Sequence, residues 1–100
     1  MNEQKILNFL GIAQRANQII SGQELVLKAI KKQHAKFVFI ASDTGNVAQK
    51  DFLLALERQQ IAYTDYFSQI QLSSAIGRST KSIAIMDIGF AQRFRELIND

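Results

Sequence analysis

The chain has no cysteine, no proline and no tryptophan, and only one histidine in 100 residues. Without cysteine there is no disulfide, no thiolate metal site and no cysteine nucleophile, and a reducing compartment fits that composition. The one histidine, His34, sits in a lysine-rich turn with no further histidines or carboxylates at ligand spacing, so no metal site is expected. The five glycines form neither a P-loop nor a G-x-G-x-x-G turn, and no serine sits in a G-x-S-x-G elbow. Long apolar runs are missing as well. The opening "MNEQKILNFLGIAQR" carries an acid and a lysine before a short, interrupted apolar stretch. It reads as neither a secretory signal nor a membrane span, and a cytoplasmic protein with no membrane partner is expected. With proline absent, the elements must be punctuated by glycine and by polar caps.

What is present suits a folded domain. Hydrophobic residues make up 47% of the chain, enough for a real core, and the length fits one domain over residues 1–100. No linker, repeat or low-complexity run divides it. Helical periodicity covers 3–16, with Ile6, Leu7, Leu10 and Ala13 on one stripe. Gln18–Ile20 suits a short peripheral strand, and 22–33 a helix. "FVFIA" at 37–41 and "SIAIM" at 82–86 are continuous apolar runs, the pattern of central strands buried on both faces. Asp43 and Thr44 offer caps for a helix over 45–60 with Val47, Phe52, Ala55 and Leu56 inward. "AYTDY" at 62–66 alternates like a strand. Residues 68–76 form a short helix ending at Gly77, and Gly89–Ile98 a last one anchored by Phe90, Phe94 and Leu97. Alternating strands and helices at this spacing predict an α/β fold: a three-layer α/β/α sandwich around a four-stranded, mixed or mostly parallel sheet.

The stretch "IISGQELVLKAIKKQ" at 19–33 is the most informative. Ser21 with Glu24 has the spacing of a capping box, and Ile20 with Leu25 that of a hydrophobic staple. At about 100° per residue, Leu25, Val26, Ala29 and Ile30 share one face, and Lys28, Lys31 and Lys32 share another. A solvated helix with a Glu24–Lys28 pair would explain the lysines without any ligand. The wider charge pattern argues for more. The chain carries a net charge of +3, and its acids are unevenly spread. Leu25–Ala41 holds Lys28, Lys31, Lys32 and Lys36 with no acid, and Tyr66–Met86 holds Arg78 and Lys81 with none. A helix start presents free N–H groups and a partial positive charge, and Gly22 leaves them uncovered by a side chain. Helix start, lysine row and Gly77-Arg78 loop together suit a phosphate backbone. Asp43 and Asp87 follow the two apolar strands, where α/β enzymes often keep carboxylates, but helix capping accounts for both and no catalytic residue is assigned.

In order and spacing, "GIAQRANQIISG" (11–22), "GQELVLKAIKK" (22–32), "FVFIASD" (37–43) and "AIGRST" (75–80) resemble the kink-turn RNA-binding ribosomal-protein family, whose archaeal type member is ribosomal protein L7Ae. Within it, the likeness is closest to the small bacterial YlxQ-type members. The resemblance covers nearly the whole chain and implies the same α/β/α sandwich. It also implies a non-enzymatic RNA-binding protein with no cofactor. RNA would lie at the start of the second helix and at the loop before the last strand. Family members carry G-x-N-E-x-x-K at that helix start. Here Gly22 and Lys28 match, while Glu24 replaces the asparagine and Leu25 the glutamate. Lys32 falls at the basic position one turn further on. The corresponding loop, which in the family packs apolar groups on an extruded nucleotide, is Ile76-Gly77-Arg78-Ser79. The implied RNA-contacting residues are therefore Gly22, Gln23, Glu24, Lys28, Lys31, Lys32, Ile76, Gly77, Arg78 and Ser79. Leucine cannot hydrogen-bond a guanine edge, so altered or relaxed specificity is expected, toward bulged or looped RNA. The implied partner is ribosomal or other structured RNA, with ribosome or ribonucleoprotein association, and the protein is expected as a monomer. Two other readings remain: a protein-interaction module with a degenerate RNA face, and a small-molecule enzyme using Asp43 or Asp87.

Overall fold

A computed structural model describes residues 1–100. Five helices and four strands alternate: α1 (Glu3–Arg15), β1 (Ile19–Ser21), α2 (Gln23–Lys31), β2 (Phe37–Ile40), α3 (Asn46–Gln59), β3 (Tyr63–Thr64), α4 (Gln69–Ile76), β4 (Ser82–Ile85) and α5 (Ile88–Asn99). The sheet order is β1-β4-β2-β3, so both apolar runs are central and the short first strand is an edge. The sheet is mixed. β4 runs antiparallel to β1 and β2, and the only parallel pair, β2–β3, encloses the α3 crossover.

Side-chain alternation along the central strands divides the core in two. Phe37, Phe39, Ile83 and Ile85 face α1, α4 and α5, and Phe94 of α5 meets Phe39 edge to face with centroids 5.1 Å apart. Val38, Ile40 and Ala84 face α2 and α3, where Val26, Ile30, Phe52 and Leu56 complete the second cluster. The result is the expected three-layer α/β/α sandwich. Close approach of α1 to α4 needs Gly11, where an added Cβ would lie 3.2 Å from the Ala75 carbonyl oxygen.

Three local expectations are corrected. Ser21 is not a helix cap. Its pairing with Ile83 holds it in β1, so α2 starts one residue later on Gly22, whose φ of 101° only glycine adopts easily. With no capping box or staple there, Leu25 turns outward and is 58% exposed. Val47 also lies outside the core, at 78% exposure in the first turn of α3. Asp43 caps a different helix from the one expected. Its Oδ1 accepts from the Gln69 N–H at the start of α4, while α3 begins on Gly45 with no side-chain cap. The capping box lies at α4 instead, between Ser68 and Gln71. Asp87 does cap its helix, accepting from Phe90 N–H at 3.0 Å.

Candidate nucleic-acid interface

β4 runs opposite to the other strands, so its entry loop meets their exits at one edge of the sheet. Two hydrogen bonds fix this convergence. Gly22 N–H donates to the Ser82 carbonyl at 3.2 Å, and Ala41 N–H donates to the Lys81 carbonyl at 2.8 Å. The start of α2 and the 77–81 loop, 55 residues apart at Gly22 and Gly77, are therefore neighbours. The loop is held from within. Ser73 Oγ accepts from Thr80 N–H at 2.9 Å and donates back to the Thr80 carbonyl, and Thr80 Oγ1 donates to the Ser82 carbonyl. Gly77 turns the chain out of α4 at a φ of 77°, with open space where a Cβ would stand. A pinned loop presents its outward groups with little loss of freedom on binding.

The expected site residues divide into three groups. Gly22, half-buried, and Gln23 and Glu24, both exposed, sit at the edge with exposed Gly77, Arg78 and Ser79. Lys28 and Lys32 are exposed on α2 and within roughly 40° of each other around its axis, in a row leading away from that edge. Lys31 and Ile76 are placed differently. Lys31 lies on the flank toward α3, lining a groove with Asp51 and Arg58. Ile76 is 6% exposed and packs in the larger core cluster, so it offers no apolar surface to a ligand. The reason is register: it is the last residue of α4, on the stripe that also buries Leu72.

The electrostatics favour an anionic ligand. The structure's one ion pair, Arg93 with Glu96 at 3.0 Å, is on α5. Glu24 and Lys28 form no salt bridge, and Lys28, Lys32, Arg78 and Lys81 have no carboxylate within ion-pair distance. Two further groups stand at this edge outside the expected site set: Lys81, noted only as part of an acid-free stretch, and the 41–45 turn after β2. The available signal was the polar, glycine-containing "SDTG" directly after an apolar strand, at the carboxyl end where α/β folds place ligands.

Asp43 and Asp87 both accept helix N–H groups. No group of three or more His, Asp or Glu side chains could hold a metal ion. An open groove of about 560 Å³ lies between α1 and α4, in the layer opposite α2 and α3, lined by Ile12, Ile70 and Arg15 among others. No helix is long and apolar enough to cross a membrane.

The small α/β/α sandwich with a four-stranded mixed sheet is a fold found among RNA-binding proteins. The chain belongs to the ribosomal protein L7Ae/L30e/S12e/Gadd45 family, whose model matches residues 4–94. It is 34% identical over 97 residues to the RNA-binding protein YlxQ of Enterococcus faecium, covering 97% of this chain and 94% of that one. It is 30% identical over 91 residues to the RNA-binding protein YlxQ of Bacillus subtilis, covering 90% and 91%. Among solved structures, a Bacillus halodurans protein with unknown function shares 32% identity at a TM-score of 0.90, with 96% of this chain and 98% of that one aligned. The fold is also that of a Giardia lamblia 15.5 kDa RNA-binding protein, with a TM-score of 0.80 at 21% identity over 96% of this chain and 86% of that one.

Proposed function

We propose that this protein binds structured RNA, a bulged or kink-turn-like element, through the start of α2 and the loop before β4, without catalysing a reaction. The observation that carries the reading is the hydrogen bond from Gly22 at the start of α2 to Ser82, directly after the 77–81 loop, with Lys28, Lys32, Arg78 and Lys81 free of ion pairs. The RNA-binding names of its relatives favour the same class of ligand. In this reading Lys28, Lys32 and Arg78 contact phosphates, and Gln23 and Glu24 face bases. Lys31 lies beside the principal contact, and Ile76 supports the loop from inside the core. Leu25 and Glu24 leave less hydrogen-bonding capacity for guanine than an asparagine–glutamate pair, so recognition rests on shape and backbone. The setting is a monomer in the cytoplasm, associated with ribosomal RNA or another ribonucleoprotein.

The test compares wild type with Lys28→Ala/Lys32→Ala/Arg78→Ala on a bulged kink-turn RNA and on a plain duplex, across a salt series. Wild type should prefer the bulged RNA. The variant should bind more weakly, with a log–log salt slope shallower by about two to three units if each side chain meets one phosphate. Equal affinity for both RNAs would reduce the edge to a generic basic surface. Absence of wild-type binding at low salt would favour a protein-interaction module, for which exposed Leu25 and Val47 offer apolar contact.

A further inference from the structure

The helices differ in how their N-termini are closed. α1, α4 and α5 are each capped by a side chain, from Asn2, Ser68 and Asp87. The two helices of the other layer, α2 and α3, begin on Gly22 and Gly45 with no side-chain cap. At both glycines the space a Cβ would occupy is open. These two starts flank the same strand. Gly22 bonds to Ser82 on one side of β4, and Ala41 to Lys81 on the other, so the two exits stand about two strand spacings, or ~10 Å, apart. The Thr44 N–H to Ala41 carbonyl bond, 3.2 Å, folds the turn back toward that strand before α3 begins.

A second observation concerns two side chains near these starts. Two hydroxyl groups have neither solvent nor a hydrogen-bond partner: Ser82 Oγ and Thr44 Oγ1. Ser82 is 0% exposed and Thr44 8% exposed. Ser82 is two residues before Ala84, which faces α2 and α3, so alternation aims its side chain into the same layer, at the end where both helices start. Thr44 immediately precedes the α3 cap. Buried hydroxyls without a partner are costly, and their presence in a native fold calls for an explanation.

We infer that the paired starts of α2 and α3 form a seat for one phosphate group, lined by their first backbone N–H groups and by the hydroxyls of Ser82 and Thr44. The inference deepens the RNA-binding reading and rests on it for the source of the phosphate, an RNA backbone diester. β1 and β2 both run antiparallel to β4, so the helices that follow them present their positive ends on the same side, and α3 has no acid in its first turn. Exposed Arg78 and Lys81, on the loop between the helix starts, supply formal charge. Of the nearby carboxylates, Asp43 is engaged at the start of α4. Glu24 is exposed about a quarter turn from Gln23 on α2, away from the buried stripe. Neither hydroxyl has a hydrogen-bond partner in the protein, so each keeps a donor for an anion held at the N–H groups.

The test is an amide NMR titration of the full chain with inorganic phosphate at constant ionic strength set by chloride. Saturating shifts should concentrate on 22–24 and 45–47 together, and a bulged RNA should displace the phosphate. Gly45→Asp, compatible with the Gly45 φ of −59°, places a capping carboxylate in the seat. It should keep the fold and weaken phosphate binding about tenfold or more. Ser82→Ala should weaken it without moving the position of the shifts. Scattered, unsaturating shifts, shifts at α2 alone, or Gly45→Asp binding phosphate as wild type does would each overturn the seat. Steeply salt-dependent RNA binding alongside any of those results would leave the RNA reading standing, and loss of both would remove it too.

Discussion

Ile76 and Leu25 exchange the roles that hydrophobicity alone would assign at the candidate edge. Ile76 closes α4 and is packed among Leu72, Phe67 and Ile83, while Leu25 projects to solvent in the first turn of α2. Truncation should separate them. Ile76→Ala removes buried volume under the 77–81 loop and should cost about 2–5 kcal/mol of stability, read by urea unfolding. Leu25→Ala should change stability by less than about 0.5 kcal/mol. The RNA reading places Leu25 beside the ligand, so its truncation should still alter the preference between bulged and plain RNA. No change in either measurement would make Leu25 a bystander. Lys28 and Lys32 are long side chains without carboxylate partners, so their removal should appear in RNA affinity and hardly at all in stability.

Helix starts distinguish the elements more than helix lengths do. Asp43 leaves the helix that follows it uncapped and serves α4, at Gln69, 26 positions further along the chain. Asp43→Ala should therefore cost about 1 kcal/mol and speed amide hydrogen exchange in the first turn of α4, with α3 unaffected. Faster exchange in α3 would contradict the contact. A second tie joins α1 to the segment before α4. Tyr66 Oη donates to Glu3 Oε2 at 2.9 Å. That hydrogen bond, the Glu3 charge and a little burial hold the Tyr66 phenol above its ordinary pKa. Because the folded pKa is the higher one, the stabilisation is fully present below the unfolded tyrosine value. It is lost as pH rises through the folded value. Alkaline titration of phenol absorbance in a Tyr63→Phe background should show Tyr66 titrating late, and Glu3→Gln should return it toward the ordinary range.

At the scale of the whole molecule, β2 and β4 belong to both core clusters, since their side chains alternate between the α1/α4/α5 layer and the α2/α3 layer. The same two strands shape the candidate edge. β2 and β1 deliver α3 and α2, and antiparallel β4 brings its entry loop between them. What the sequence by itself determined is what neighbouring residues decide. Apolar runs of β-branched and aromatic residues marked the central strands. Period-3.6 stripes marked the helices, and the acid-free stretches marked the basic surface. Their order also carried the family resemblance. What only the tertiary structure decided is where pairing overrules a local preference. Ser21 has the spacing of a helix cap, but its ladder partner Ile83 keeps it extended, and that one-residue shift turns Leu25 outward. Asp43 sits before a helix and caps another one. Lys31 shares a helix with Lys28 and Lys32 but faces the α3 flank. Each outcome depends on a strand or helix contributed by a distant part of the chain, and the free energy of burying two core faces outweighs the modest preference of a single cap.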